Sequence, residues 1–438
     1  MRKRNLSKGQ VSILQNICIL CLSLLAGFLL VTVFSYEADG NGTIPSLNTL
    51  LNSPQADESS QSSDLSGMAV PFNLVATSEH GRYGRMLVSS AERDQLHSSS
   101  LLLEALGSAS SPVVVPEDQF QDALSQTSLF LDYLFPVPSS ILAAWFGADF
   151  SADLEIRYLL ISATSSESAK LYLWDGIGDI YCYGTAVEYP SLADLVLSFR
   201  RDDATASGDV AFAFEDPETY GHLSPYTVLS SEAATASVLT SALPDLASDV
   251  DSILSILDFN PHTIARYNLT NGIEVVEFPR TLRVYTDGSI QYSGSADATS
   301  SLYVIPTAGE SPSEAEALLA SLRLAELLLP EEVLLDSDFY FSGIQPTDTG
   351  YHITFDYLID GIPVYLASGA SALEIDTTGA TITSFRLQYR QYTVQEDSYH
   401  LLPLPQAVHM ATGYQNVFLT KGYVDRGGET VTAEWLVR

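Results

Sequence analysis

Three cysteines in 438 residues are too few to staple a fold, and two of them, Cys18 and Cys21, sit inside an apolar run. Only Cys182 lies beyond that run, so no disulfide closes within the rest of the chain and no multi-cysteine metal site forms there. Basic residues are scarce too: 20 Lys and Arg stand against 54 Asp and Glu, a net charge of −34. A chain this acidic repels nucleic-acid phosphates and anionic headgroups, which argues against DNA, RNA and lipid-surface binding. The seven histidines (80, 97, 222, 262, 352, 400 and 409) are scattered, with none in H-E-x-x-H or His-pair spacing. Neither G-x-S-x-G nor S-x-x-K occurs, which removes the common serine-nucleophile contexts.

The groups that remain read as structural. Cys182 lies between Tyr181 and Tyr183 in an expected strand, without the basic neighbour that would activate a thiol. His262 follows Pro261 in a loop and reads as a surface or capping histidine. Asp336-Ser-Asp338 opens like a calcium loop, but an EF-hand needs Gly at 341 and Glu at 347, where Phe and Thr stand. Asp175-Gly-Ile-Gly-Asp179 is a lone G-x-G and reads as a hairpin turn. Adjacent acids such as Asp202-Asp203 and Glu331-Glu332 arise freely among 54 acids and read as solvated loops. The sequence therefore assigns no catalytic, cofactor-binding or metal-binding residues and points away from an enzyme.

What the chain does have is an anchor. Ile17–Phe34 is 18 residues without a charge, inside a wider apolar stretch from Ile13. A 22-residue helix rises roughly 33 Å, enough for a hydrocarbon core of about 30 Å. Arg2, Lys3, Arg4 and Lys8 precede it, and no acid occurs in the first 36 positions. The positive-inside rule then keeps this tip in the cytoplasm and exports the rest through a single-pass membrane anchor. The run exceeds a signal-peptide core, and no A-x-A-like site follows it, so the anchor is expected to be uncleaved. Ile17, Leu22, Leu25, Phe28 and Val31 form its lipid-embedded body, whereas Ser23, Ala26 and Gly27 are small enough for close helix approach.

Beyond the anchor the expected fold class is α+β, with two or three exported domains of mainly antiparallel sheet packed against helices. The expected divisions are a cytoplasmic tip (1–12), the transmembrane helix (13–34), a Ser/Asp/Asn/Gly-rich flexible stalk (35–66), and domains at 67–230, 231–306 and 307–438. In the first domain, helices are expected at 102–106 and 116–130, and strands at 154–162, 169–174, 180–183 and 210–214. The stretch 192–199 fits either state. Helices are expected at 231–243 and 246–257, then hairpin strands at 273–278, 281–285 and 289–292, punctuated by Asn271-Gly272 and Asp287-Gly288.

The best-defined helix signal is 311–329. Ser311 is the expected N-cap, with Pro312 opening the helix and Glu314 in a capping box. Leu318, Leu322, Ala325 and Leu329 line one expected face, and Pro330 closes the segment. Strands are then expected at 337–344, 351–358, 362–367, 372–376 and 381–392, a short helix at 404–412 and a terminal strand at 431–437. Aromatic residues crowd this last region, from Phe339-Tyr340-Phe341 to Tyr389 and Tyr392. Most are expected in the core, and any exposed ones suit a protein or peptide interface.

With these segments laid out, the chain resembles the YycH/YycI family of membrane-anchored regulators. The resemblance rests on the layout of basic tip, single span and disulfide-free exported region, and on two stretches. LDFNPHTIARYNLTNGIEVVEFPRTLRVYTDGSIQYSG (257–294) is similar to the YycH pattern of helix end, aromatic strand and D-G hairpin. YHITFDYLIDGIPVYLASGASALEIDTTGATITSFRLQYRQY (351–392), with a final AEWLV (433–437), is similar to the YycI and PepSY-like pattern. The resemblance covers about a fifth of the exported chain, leaves 70–230 unmatched and carries no catalytic signature. It makes 231–306 a YycH-like domain and 307–438 a YycI/PepSY-like one. It implies that the chain binds and modulates the cell-wall-sensing two-component histidine kinase WalK at a Gram-positive cell membrane, with a sister regulator of the same family as a further partner. The alternative is a PepSY-type inhibitor or chaperone of an exported peptidase or cell-wall enzyme.

Overall fold

The computed structural model describes residues 71–438 apart from Ser166, 202–209, 231–233, 244–249, 297–301, 308, 310 and 330–336. For Ser90, Ser98, Arg200 and Arg201 it describes the backbone alone. The expected tip, span and stalk therefore lie outside the described residues. So do the anchor positions Ile17, Leu22, Leu25, Phe28 and Val31, the small-residue set Ser23, Ala26 and Gly27, and both acidic pairs.

The first sheet is built from β1 (Asn73–Ser78), β2 (Gly81–Arg85), β3 (Val113–Val115), β4 (Thr127–Pro138), β5 (Glu155–Ala163), β6 (Lys170–Trp174) and β7 (Ile180–Gly184), in the order β2-β1-β4-β5-β6-β7-β3. All its pairings are antiparallel. Its central strands read as unbroken apolar runs because both faces are covered. Leu129, Leu131, Leu159 and Ile161 face one core, shared with the helices Ser139–Phe146 and Tyr189–Arg201. Phe130, Tyr158, Leu160 and Cys182 face the other, under the helix Glu117–Leu124 and the ribbon of β8 (Val210–Phe212) and β9 (Val228–Ser230).

The second sheet contains β10 (Thr235–Ala242), β11 (Ala265–Leu269), β12 (Gly272–Glu277), β13 (Arg280–Tyr285), β14 (Ser289–Ser293), β15 (Asp338–Pro346), β16 (Tyr351–Ile359), β17 (Ile362–Leu366), β18 (Leu373–Thr378), β19 (Thr381–Gln388), β20 (Gln391–His400), β21 (Leu419–Asp425) and β22 (Thr430–Val437). Its order is β11-β12-β13-β14-β19-β18-β16-β17-β21-β22-β10-β20, with β15 on the other edge of β16. β14 pairs with β19, and β10 with β20 and β22. Strands on either side of position 306 are thus joined by backbone hydrogen bonds in one sheet. The described residues show the expected mixture of helices and mainly antiparallel sheet; β17 with β21 is a parallel pair.

The helix Glu314–Leu328 lies in the shared core between the two sheets, against the helix Ser139–Phe146 on one side and β16 and β18 on the other. Burial follows from that position. It takes in Leu318, Leu322 and Ala325 as expected, and also Leu319, Leu324 and Leu328, because a helix packed on two sides is apolar beyond a single stripe.

Several expected elements are corrected. The expected helix 116–130 ends at Leu124, and Thr127 begins a central strand bonded to both β1 and β5, a tertiary pairing that overrides local spacing. The expected helix 231–243 is strand β10 where it is described. Ala236, Leu239 and Ser241 are buried there, and Leu239 pairs with Val431. The expected strand 381–392 breaks at Tyr389-Arg390, where the chain leaves the β18 side for β10. Strands β1, β2, β3, β9, β11 and β21 had no sequence expectation.

The cap of Glu314–Leu328 is Ser313, whose hydroxyl accepts from Glu316 N at 3.2 Å while Ser313 N donates to Glu316 Oε2 at 2.8 Å. The sequence holds two overlapping S-x-x-E frames, and the second is used. At the turns, Asp360 and Gly361 both have positive φ, +50° and +77°, as a type I′ hairpin between Ile359 and Ile362 requires. Gly288 has φ of +84°, but Asn271 and Gly272 lie outside the positive region. Gly272 is needed there for closeness instead, since a Cβ would stand 2.3 Å from the Val284 carbonyl oxygen.

Candidate binding cleft

A cleft opens where the long strand β4 bulges toward the second sheet. The β4–β5 register jumps between Asp132 and Val137, and Leu134 takes φ of +67°, a left-handed conformation costly for a leucine. Fully buried Asp132 pins it. Its Oδ1 accepts from Leu134 N at 2.8 Å and from Arg157 Nε at 3.2 Å, and its Oδ2 from Asn73 Nδ2 at 2.8 Å. A bulge held this way re-aims side chains. Here it sends Phe135 toward the second sheet, where its ring meets Phe341 edge-on at 6.0 Å.

Two chambers flank Phe135 and share Phe135, Ser342 and Thr354 in their walls. One strand face supplies much of the floor. Alternate residues of a strand share a face, so burial of Ile353, Phe355 and Tyr357 in the core turns His352, Thr354 and Asp356 toward the cleft. Tyr340 of β15 pairs directly with Asp356.

The larger chamber encloses about 500 Å³ and holds Glu155, Asp175, Gln345 and His352. Burial raises the Glu155 carboxyl above its ordinary range, and the charges of Glu314, Asp153 and Asp175 raise it further. His352 Nδ1 lies 2.7 Å from Asp376 Oδ1, and Ser384 Oγ donates to Asp376 Oδ2 at 2.6 Å. The carboxylate, not the imidazole, occupies the middle of that chain. This order differs from an acyl-transfer triad, in which histidine stands between acid and serine.

The smaller chamber, about 260 Å³, is lined by Leu134, Tyr340, Asp356, Tyr365, Leu366 and Arg438 among others. Asp356 keeps part of its surface open to the chamber, yet burial raises its carboxyl, against hydrogen bonds from Ala372 N at 3.0 Å and from Ser342. The Tyr365 hydroxyl is buried, and burial pushes it up to about 12 against the charge of the neighbouring Arg438. The Arg438 guanidinium stacks on the Tyr365 ring, 3.7 Å from its centroid. Backbone hydrogen bonds between Arg438 and Phe418 hold that end of the chain beside the cleft. Among the described residues, neither Arg438 nor Asp356 has an ion-pair partner.

Most residues singled out in the sequence fall elsewhere. His262 is exposed, and Asp338 is bonded to Arg93 at 3.0 Å on the surface. Asp175 closes the β6–β7 turn by accepting from Ile177 N and Gly178 N, while its side of the turn borders the larger chamber. Cys182 is buried, which pushes its thiol up. Among the described residues no group of His, Cys, Asp or Glu is placed to hold a metal ion, and no helix is long and apolar enough to cross a membrane. The cleft set of His352, Thr354 and Asp356 was not singled out, although its signal, H-x-T-x-D within one strand, was present. Leu134 and Arg438 carry no such signal.

No protein-family model matches the chain, and neither curated proteins nor solved structures supply a match.

Proposed function

We propose that the protein is a membrane-anchored regulator whose exported part binds and modulates a cell-wall-sensing two-component histidine kinase. The observation that carries this reading is the uncharged run Ile17–Phe34 behind a basic tip, joined to an acidic region that forms no disulfide. Surface features of the described region fit a binding role. Ile177 and Phe278 project from hairpin turns, each 93% exposed, and Val113 and Val114 lie exposed on edge strand β3. Apolar tips and unpaired strand edges gain free energy by meeting a protein surface. Modulation then requires only that the protein bind one kinase conformation more tightly than the other.

The test is a mild-detergent pull-down of the full-length tagged protein from its own membranes, read by mass spectrometry. Recovery of a sensor histidine kinase is expected, after which kinase assays in liposomes give the sign of regulation. Recovery of a peptidase or wall-synthesis enzyme with no kinase would overturn the proposal in favour of an inhibitor or chaperone.

A further inference from the structure

The smaller chamber presents two opposite charges on rigid supports that do not meet. Asp356 projects from the middle of β16, hydrogen-bonded on both sides by β15 and β18 or β17. Arg438 follows β22 and is stacked on Tyr365. Both line one cavity, and the Arg438 charge favours the Asp356 carboxylate across it, yet no ion pair joins them. The chain has 54 acids and 20 basic residues, yet no carboxylate of the described residues forms an ion pair with this arginine at the cavity wall. The Tyr365 ring backs the guanidinium and fixes its position at the chamber wall.

We infer that this chamber is a binding site for a free α-amino acid with a modest apolar side chain. The chemistry is that of a zwitterion held at both ends. The planar guanidinium of Arg438 offers paired N–H donors to the carboxylate, a geometry for which arginine is preferred. Asp356 receives the ammonium, and the Ser342 and Thr354 hydroxyls stand beside it in the same wall. Leu134, Phe135 and Leu366 supply the apolar wall for the side chain.

Size and electrostatics support the same class. A cavity of about 260 Å³ lies below the range of drug-sized ligands but admits a molecule of amino-acid size. Burial raises the Asp356 carboxyl, and an arriving ammonium offsets that penalty by favouring the charged form. A ligand with only one of the two charges would leave the other protein group desolvated and unpaired, so the site discriminates against it. The inference does not depend on which protein the exported region binds.

Calorimetry and thermal melting on the full-length protein in detergent test it, with L-leucine, L-valine and L-alanine as probes. N-acetyl-L-leucine removes the ammonium, and L-leucinamide removes the carboxylate. At least one free amino acid is expected to bind saturably and raise the melting temperature, with both blocked analogues at least about tenfold weaker. Arg438→Gln and Asp356→Asn are expected to weaken that binding about tenfold or more. Equal binding of N-acetyl-L-leucine would reduce the site to an anion pocket, and equal binding of L-leucinamide would reduce it to a cation pocket. Either result overturns the proposal. So does failure of all three free amino acids to bind the folded protein at about 10 mM.

Discussion

The guanidinium carbon of Arg157 lies 3.6 Å from the ring centroid of Phe418. Arg157 belongs to β5 of the first sheet, and Phe418 immediately precedes β21 of the second, so this stack ties the two sheets together. The same guanidinium neutralises buried Asp132, which in turn holds Leu134 in its left-handed conformation. One side chain therefore links the joint between the sheets to the shape of the cleft.

Arg157→Met keeps most of the apolar stem and removes the charge. Asp132, 1% exposed in its side chain, is left as an uncompensated buried carboxylate, and a loss of about 3 kcal/mol in unfolding free energy is expected. Urea unfolding followed by tyrosine and tryptophan fluorescence measures it. A loss below about 0.5 kcal/mol would show that Asn73 and the Leu134 amide suffice to hold Asp132.

Gly361 serves two purposes at once. Its φ of +77° suits the turn, and a Cβ there would stand 2.6 Å from the Val88 carbonyl oxygen in the segment that follows β2. Gly361→Ala therefore combines backbone strain with a clash against backbone, and a destabilisation of about 2 kcal/mol is expected. Thermal melting of the variant beside the unchanged protein gives the value.

The two S-x-x-E frames before the long helix make opposite predictions. Ser313→Ala removes the hydroxyl that accepts from Glu316 N and is expected to cost about 1 kcal/mol. Ser311→Ala is expected to stay within about 0.5 kcal/mol of the unchanged protein. Equal losses from the two substitutions would contradict the observed cap.

Asp356 makes stability fall as pH rises. Its folded-state carboxyl is raised above the ordinary value of 3.8 by burial, so between those two values the folded state binds more protons than the unfolded state. The penalty is absent at lower pH and complete once pH passes the folded value. Asp356→Asn removes the charge while its amide oxygen still accepts from Ala372 N. Without added ligand, the variant is expected to melt above the unchanged protein at pH 7, with the gap closing as pH falls toward about 4. A gap independent of pH would assign the difference to packing.

In the expected span, replacing both Ala26 and Gly27 with leucine lengthens the side chains on the small-residue face without adding polarity. Weaker co-purification of the membrane partner is expected, with the protein still in the membrane fraction. Unchanged co-purification would remove Ser23, Ala26 and Gly27 as an interface.

Local chemistry was enough for a large part of the fold. The D-G turn at 360–361, the β6–β7 hairpin around Asp175 and the strands from 351 to 376 were legible because alternation and turn residues act over a few positions. The sequence by itself also determined the charge of the chain, its inability to form disulfides beyond the apolar run, and the presence of that run. Tertiary structure decided what depends on distant partners. Residues 127–130 became strand because β1 and β5 bond both of their edges, and 235–242 became strand because β20 and β22 do the same. Asp356 and Arg438 stand 82 positions apart in the chain. They line one cavity only because the second sheet brings β16, β17 and the end of β22 together beside the bulge of β4, and no local pattern encodes a juxtaposition made by long-range pairing.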